Sequence, residues 1–213
     1  MRTEDTAVLC FQHCEKANIL CLQVPSDCPI CGLELQDVEL RVPPFRIPYP
    51  FKEAKYSPCC VVIRPSSGDF LNQYSSTSDL HTGITNSKGK VYEYGSEGLK
   101  IGESSAWQQC VVVPIISCHN SSWHEFWDYT IDIIESQDDE WSSAKYDERS
   151  RNCYSFVLAF LRMLQLPHLK PSLKDKVTFC NDVIIPHTRN AARYIALYRK
   201  LLQEKHYIKS SKR

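Results

Sequence analysis

The sequence has no long apolar run and no excess of charge of one sign. Residues 1–5 lack the apolar stretch of a signal peptide, and no segment approaches the roughly 20 apolar residues that a membrane helix needs. Lys and Arg together number 25, as do Asp and Glu, so no net charge draws the chain towards nucleic acid or anionic membrane. We therefore expect a cytoplasmic or nuclear protein, not a secreted one, without a membrane span.

Internal repeats and low-complexity tracts are also missing. With 213 residues, of which 43% are hydrophobic, the chain is long enough for one ordinary core, or for one core and a small satellite module. Eleven cysteines are many for a reducing compartment, and their odd number does not suit a complete disulfide framework. These cysteines favour metal binding or catalysis.

Hydrophobic patterning divides the chain into an amino-terminal module and a larger α+β domain. Apolar segments at 7–11 and 19–22 predict a hairpin, whereas four prolines between residues 43 and 50 disfavour a helix or a central strand. The predicted divisions are a zinc-knuckle hairpin module at 1–42, a proline-rich linker at 43–58, the larger domain at 59–205, and a frayed basic tail at 206–213.

Within the larger domain, alternating and helical periodicities predict an antiparallel sheet packed on helices. The predicted strands are 60–63, 80–85, 90–94 and 109–113. The predicted helices begin near Ser122, which with Glu125 resembles a capping box, near the N-cap residue Asn152, and at Thr188.

A cysteine knuckle, Cys28-Pro29-Ile30-Cys31-Gly32, has the spacing with which one tight turn presents two thiolates to a tetrahedral ion. We predict a structural zinc ion held by Cys14, Cys28, Cys31 and Cys59. The spacing does not exclude the competing donors Cys10, His13 and Cys60. The simpler interpretation is a pair of structural thiols in a turn. We do not expect a nucleic-acid partner, because a bare knuckle is not a nucleic-acid-binding signature.

A second candidate site pairs Cys153 with His81. Directly after Asn152, Cys153 falls in the first turn of a helix, where free amides and the helix dipole lower a thiol pKa. His81 lies on the strand 80–85, and Glu93, on the paired strand, is placed to orient its imidazole. The simpler reading is a buried, inert cysteine, and other histidines compete with His81 as partners: His119, His124, His168, His187 and His206.

Three segments of the larger domain resemble the PPPDE thiol isopeptidases. They are Asp79-Leu80-His81-Thr82-Gly83-Ile84, Gly89-Lys90-Val91-Tyr92-Glu93-Tyr94-Gly95 and Arg151-Asn152-Cys153-Tyr154-Ser155-Phe156. In that superfamily, and in the related NlpC and lecithin:retinol acyltransferase types, the papain fold is circularly permuted, so the histidine strand precedes the cysteine helix. The resemblance implies that Cys153 is the nucleophile, His81 its partner and Glu93 the third polar residue. Tyr154 departs from the usual polar neighbour, and the acyltransferases carry histidine where Glu93 stands.

Nearly the whole chain also resembles the makorin-2 opposite strand protein family. The matching segments are His13-Cys14-Glu15-Lys16, Cys28-Pro29-Ile30-Cys31, Ser78-Asp79-Leu80-His81 and Asn152-Cys153-Tyr154-Ser155. Together the resemblances imply a permuted papain-like domain behind a zinc-ribbon-like module. The expected function is cysteine hydrolysis of peptide or isopeptide bonds. The alternative is an inactive, zinc-stabilised module that binds a protein partner through aromatic side chains such as Trp107 or Trp141.

Overall fold

A computed structural model of the chain describes residues 7–102, 105–116 and 121–210. It is an α+β structure with two antiparallel sheets. The strands are β1 (Leu9–Gln12), β2 (Ala17–Cys21), β3 (Val42–Arg46), β4 (Cys60–Pro65), β5 (Leu80–Thr85), β6 (Val91–Gly95), β7 (Gly98–Gly102), β8 (Val111–Pro114) and β9 (His206–Ser210).

The α-helices are α1 (Ser121–Glu135), α2 (Cys153–Met163), α3 (Lys176–Phe179) and α4 (Ile185–Glu204), and a π-helical turn, Cys180–Ile184, joins α3 to α4. Single 3-10 turns are formed by Ala54–Tyr56, Ser105–Trp107, Ser143–Lys145 and Lys170–Leu173. Within the described ranges, no helix combines the length and the apolar character needed to cross a membrane.

The chain forms two compact units, one from residues up to 50 together with residues from 192 onward, and one from Phe51–Ala191. The first unit contains an antiparallel sheet with the strand order β3-β1-β2-β9. The predicted hairpin is confirmed as β1 and β2, with Cys10 opposite Leu20. Phe11, Ile19, Cys21 and Cys28 form its buried core.

Two segments of the first unit differ from the prediction. The first residues of the proposed linker 43–58 belong to β3, which pairs with β1 through Cys10 and Phe45. Proline has no N–H to donate to a neighbouring strand. Because β3 lies at the edge of the sheet and has one neighbour, β1, the prolines at 43 and 44 are tolerated there. The proposed frayed tail at 206–213 is β9 as far as residue 210, with Ile208 opposite Ile19, and residues 211–213 lie outside the described part.

The second unit contains the larger sheet, with the order β7-β6-β5-β4-β8. The four strands predicted from alternation are confirmed as β4, β5, β6 and β8. Strand β7 was missed because glycines at 98 and 102 and a lysine at 100 depress its strand propensity. It forms because a tight turn folds it back on β6, with Gly95 opposite Gly98.

Helix α2 packs on β5 and β6, and α1 packs on α2. The buried Trp127 of α1 contacts Phe160 of α2 with ring centroids 4.8 Å apart, and its indole N–H donates to the carbonyl of Thr85 at 2.8 Å. Trp107 and Trp141 are only 2% and 6% exposed, so the expectation that they are exposed binding anchors is wrong. They pack inside the second unit.

Candidate functional site

The start of α2 holds Cys153 in a fixed position. The side-chain oxygen of the N-cap residue Asn152 accepts hydrogen bonds from the amides of Tyr154 at 3.1 Å and Ser155 at 3.3 Å. The amide of Asn152 donates in return to the Ser155 hydroxyl at 3.3 Å, which completes a capping box. Cys153 is therefore the first residue of the helix, at the end where the helix dipole is positive.

Strands β5 and β6 bring His81 and Glu93 together. Gly83 lies opposite Glu93, so His81, two residues earlier on β5, is the diagonal neighbour of Glu93 on the same face. The imidazole Nε2 of His81 is 2.8 Å from the carboxylate Oε2 of Glu93. The thiol of Cys153 also interacts with this imidazole through a side-chain hydrogen bond.

The pKa shifts of the three groups depend on one another. Burial raises the pKa of the Cys153 thiol, but the hydrogen bond and charge of His81 outweigh burial and lower it. Burial lowers the pKa of His81, but Cys153 and Glu93 outweigh that effect and raise it to about 9. For Glu93, burial is opposed by the contacts with His81, Trp107 and Arg64, which lower its pKa to about 2. The arrangement favours a thiolate–imidazolium pair beside an ionised carboxylate.

Arg64 and Trp107 complete this site, and sequence reasoning missed both. Arg64, opposite His81 on β4, has its guanidinium Nη2 3.3 Å from Oε2 of Glu93. The guanidinium lies over the indole of Trp107 at 5.0 Å from the ring centroid, and the indole is 6.0 Å from the His81 ring. A Cβ atom at Gly83 would lie 2.9 Å from the carbonyl oxygen of Tyr92 and 3.3 Å from Cζ2 of Trp107, so this glycine leaves room for the adjacent strand and for the indole. Only the register of β4 on β5 could have indicated Arg64.

An open cleft of about 340 Å³ gives access to one side of the site. Its lining includes His81 and Glu93 together with charged or polar side chains that include Lys100, Tyr146 and Glu148. Cys153 itself is only 6% exposed. The imidazole and the carboxylate are therefore more accessible than the sulfur.

A second cluster lies in the first unit, where His13, Cys14, Cys28 and Cys31 converge. His13 and Cys14 follow β1 in the turn of the first hairpin, and Cys28 and Cys31 come from the knuckle. No two of the four donor atoms are more than 4.8 Å apart. The Sγ atoms of Cys14 and Cys28 are 3.9 Å apart, and Sγ of Cys31 is 3.4 Å from Nδ1 of His13.

These distances fit a tetrahedral metal site. Donors at ordinary zinc bond lengths would be separated by about 3.8 Å between two sulfurs and about 3.5 Å between sulfur and nitrogen. The amide of Ile30 donates to Sγ of Cys28 at 3.4 Å, as suits a thiolate. Burial raises the pKa of Cys28, but the amides of Cys31 and Ile30 outweigh burial and lower it to about 6. The four residues could hold a metal ion.

The structure corrects the predicted ligand set at one position. Cys14, Cys28 and Cys31 meet as expected, but the fourth donor is His13 rather than Cys59. Cys59 is buried in the second unit just before β4, where its amide donates to the carbonyl of Asn86 at 3.2 Å. Of the other competing donors, Cys10 is buried in β1 and Cys60 donates to the carbonyl of Pro58. Spacing alone could not distinguish His13, which adjoins Cys14, from a cysteine that lies beyond an intervening strand.

Two family models match the chain: DUF4796 N-terminal over residues 6–35 and DUF4796 C-terminal over residues 44–201. The first range contains the four-donor cluster, and the second contains Cys153, His81 and Glu93. The human MKRN2 opposite strand protein is 32% identical over 202 residues, which cover 95% of this chain and 89% of the human protein. No solved structure matches the chain. On these matches, the chain belongs to the DUF4796 family, that of the MKRN2 opposite strand protein.

Proposed function

We propose that the protein is a cysteine hydrolase of the permuted papain-like type that acts on peptide or isopeptide bonds. The observation that carries the proposal is the meeting of Cys153, His81 and Glu93 from a helix start and two adjacent strands. The histidine strand precedes the cysteine helix, as in the permuted thiol hydrolases that these segments resemble.

In the proposed reaction the Cys153 thiolate attacks the substrate carbonyl carbon, and the His81 imidazolium donates its proton to the leaving amine. Water then attacks the resulting thioester, with His81 as the base, and releases the carboxylic acid and the thiolate. Glu93 keeps the imidazole oriented and stabilises its positive charge. The amide of Cys153, at the first position of α2, has no partner within the helix and supplies one donor for the oxyanion.

The cleft favours a peptide over a lipid as substrate. Its lining is rich in charged side chains, among them Arg64, Glu97 and Lys100. Such a surface suits an extended polar backbone better than an acyl chain. We therefore propose a protein or peptide partner. We also propose a reducing cytoplasmic or nuclear setting, where free thiols such as the buried Cys153 persist.

The test is the pH dependence of Cys153 alkylation by iodoacetamide in the native protein, followed by mass spectrometry of the Cys153 peptide. Cys153 should react with a midpoint below that of an ordinary thiol, and His81→Ala should raise the midpoint because the imidazole no longer stabilises the thiolate. His187→Ala is the matched control, since the His187 imidazole bonds to the carbonyl of Val183 within one helical segment. The fully buried Cys110 should stay unlabelled and reports that the fold is intact. Identical profiles with and without His81 would exclude the proposed hydrolase.

The burial of Cys153 favours one alternative, an inactive module that binds a protein partner. Cys153 is only 6% exposed, so its sulfur must become accessible before it can attack a substrate. In this alternative the binding anchors are exposed aromatics of α1, Phe126 and Tyr129, which are 40% and 62% exposed. If Cys153 is alkylated only after unfolding, the module is the better description.

For the four-donor cluster we propose a structural zinc ion. Three thiolates and one imidazole are a common ligand set of structural zinc sites, and four protein ligands leave no open position for a substrate or water. The ion would join the turn after β1 to the knuckle at residues 28–31. Its proposed contribution is to the stability of the first unit.

A further inference from the structure

Strand β5 carries a fully buried threonine, Thr82, to which the proposed reaction gives no role. The register of β5 on β6 places Thr82 and Tyr94 on the same face of the sheet. The Tyr94 ring contacts Phe156 of α2, with ring centroids 6.4 Å apart. Thr82 therefore lies on the face that α2 covers, and Cys153 is the first residue of that helix.

The backbone amide of Thr82 points to a side where no described strand pairs with it. Just beyond the paired ends of β4 and β5, the amide of Ser66 donates to the carbonyl of Asp79 at 2.9 Å, which marks a hydrogen-bonded pair. Such pairs alternate with non-bonded pairs along an antiparallel ladder, and Ile63 with Thr82, three positions further, is a non-bonded pair. The Thr82 amide therefore points towards β6, but pairing with β6 begins only at Gly83. This amide is left to donate to another group.

The hydroxyl of Thr82 also lacks a well-aligned hydrogen bond to any residue that the structure describes. Thr85, equally buried on the same strand, differs: its hydroxyl accepts from the amide of Cys60 at 3.0 Å and donates to the carbonyl of Ser57 at 2.5 Å. A buried hydroxyl without a partner is unfavourable, whereas valine has the same shape and needs no partner. The hydroxyl of Thr82 therefore lowers stability unless another group uses it.

The sulfur of Cys153 is the group that both donors face. Burial raises the pKa of the Cys153 thiol, His81 lowers it most, and the amide and the hydroxyl of Thr82 lower it further. The hydroxyl proton can rotate towards the sulfur. Donation to a thiolate is about twice as strong as donation to a neutral thiol, because charge assists the hydrogen bond. Both donors of Thr82 therefore favour the ionised sulfur.

We propose that Thr82 is the residue that holds the thiolate of the candidate site. Its amide and its hydroxyl donate to the Cys153 sulfur and keep it ionised and in place for attack, while His81 holds and delivers the proton. The proposal rests on the proposed hydrolase only in taking the thiolate as the attacking group. The two contacts with the sulfur can be measured without turnover.

The test is an NMR titration of the Cys153 Cβ signal in protein labelled with ¹³C-cysteine, and the signal is identified by its loss in Cys153→Ser. This readout does not need access of a reagent to the buried sulfur. Thr82→Val should raise the midpoint of the titration by about half a unit, because one of the two donors is lost. Thr82→Ser, which keeps the hydroxyl, should titrate as the wild type does. An unchanged midpoint in Thr82→Val, or equal shifts in the valine and serine variants, would overturn the proposal.

Thr130→Val is the matched control. Thr130 is also buried, but its hydroxyl donates to the carbonyl of Phe126 within α1 at 2.7 Å. Its replacement should leave the Cys153 midpoint unchanged. A shift as large as that of Thr82→Val would show that any loss of a buried hydroxyl disturbs the thiol, and would also overturn the assignment.

Stability separates a functional hydroxyl from a structural one. In urea denaturation at a pH below the Cys153 midpoint, Thr82→Val should be at least as stable as the wild type, because no structural hydrogen bond is lost. A clear loss of stability would assign the hydroxyl to a structural contact and contradict the proposal.

The same titration of His81→Ala separates this proposal from the proposed hydrolase. If His81→Ala shifts the Cys153 midpoint and Thr82→Val does not, the hydrolase stands and the role of Thr82 is wrong. If Thr82→Val shifts the midpoint and His81→Ala does not, Thr82 holds the sulfur but the proposed cysteine–histidine pair fails.

Discussion

At the scale of single residues, the central group of the candidate site is the carboxylate of Glu93. Its Oε2 atom lies 2.8 Å from Nε2 of His81 and 3.3 Å from Nη2 of Arg64. The carboxylate therefore faces two cations when His81 is protonated, and a positioned arginine helps to keep it ionised. Arg64 acts on the imidazole only through Glu93, as a positioning residue.

Replacing Glu93 by glutamine should lower the pKa of His81 from about 9 towards its ordinary value of 6.5, by about one unit or more. The physical reason is that the neutral amide no longer stabilises the imidazolium. The measurement is an NMR titration of the His81 ring signals. Glu97→Gln is the matched control, because Glu97 lines the same cleft but pairs with Lys100. An unchanged His81 titration in Glu93→Gln would contradict the assigned contact.

The lowered pKa of Glu93 also predicts a pH dependence of stability. Its pKa is about 2 in the folded protein against an ordinary 4.5, so on acidification the unfolded state binds the proton first. The stabilisation is present above pH 4.5 and is lost as the pH falls towards 2. Urea denaturation across this interval should show the stability difference between wild type and Glu93→Gln shrinking with falling pH. A difference that stays constant with pH would contradict the ionised pair.

At the scale of elements, the N-cap residue Asn152 sets where α2 begins and so where the Cys153 sulfur lies. Asn152 accepts bonds from two amides of the first turn, and its own side-chain amide donates to the carbonyl of Glu148 at 2.7 Å. The cap therefore ties the preceding loop to the helix that carries Cys153. Loss of the cap should affect both the stability and the thiol.

Asn152→Ala should reduce the free energy of unfolding by about 1 kcal/mol, since two amides lose their acceptor. Asn152→Ser, which keeps a capping oxygen, should recover most of this loss. Urea denaturation measures the stability. In a second measurement, the pH midpoint of Cys153 alkylation should rise in Asn152→Ala and not in Asn152→Ser. Equal stability of the alanine and serine variants would show that the capping oxygen is not what stabilises the helix start.

At the scale of the whole molecule, the first unit is assembled from both ends of the described chain. β9 completes the sheet of β1 and β2, and the four-donor cluster lies in the loops of the same unit. If the cluster holds the proposed ion, this small sheet with its small core gains stability from it. Metal binding should therefore be coupled to the order of this unit.

His13→Ala should reduce the bound zinc, because the fourth donor is lost, whereas Cys59→Ala should leave one ion per chain. The measurement is metal content by mass spectrometry of the purified protein. Chelation should also speed hydrogen exchange in β1 and β2 while β5 and β6 remain protected. If Cys59→Ala loses the metal and His13→Ala keeps it, the cluster is not the metal site.

The sequence by itself determined the features that depend on neighbouring residues. The alternation of 80–85 and 90–94 predicted β5 and β6, and with them the approach of His81 and Glu93. The capping residue Asn152 predicted the start of α2, and the spacing of Cys28 and Cys31 predicted one half of the four-donor cluster. Local backbone geometry produces these features, so local patterns are sufficient to find them.

Only the tertiary structure decided the features that depend on pairing between distant segments. The fourth donor His13, the positioning residue Arg64 and the strand β9 each owe their place to a partner far away in sequence. The same is true of β3. Its prolines predict a linker, and only its pairing with β1 shows that it is a strand. The physical reason is that strand pairing and side-chain convergence are set by the packing of the whole chain, which no local periodicity encodes.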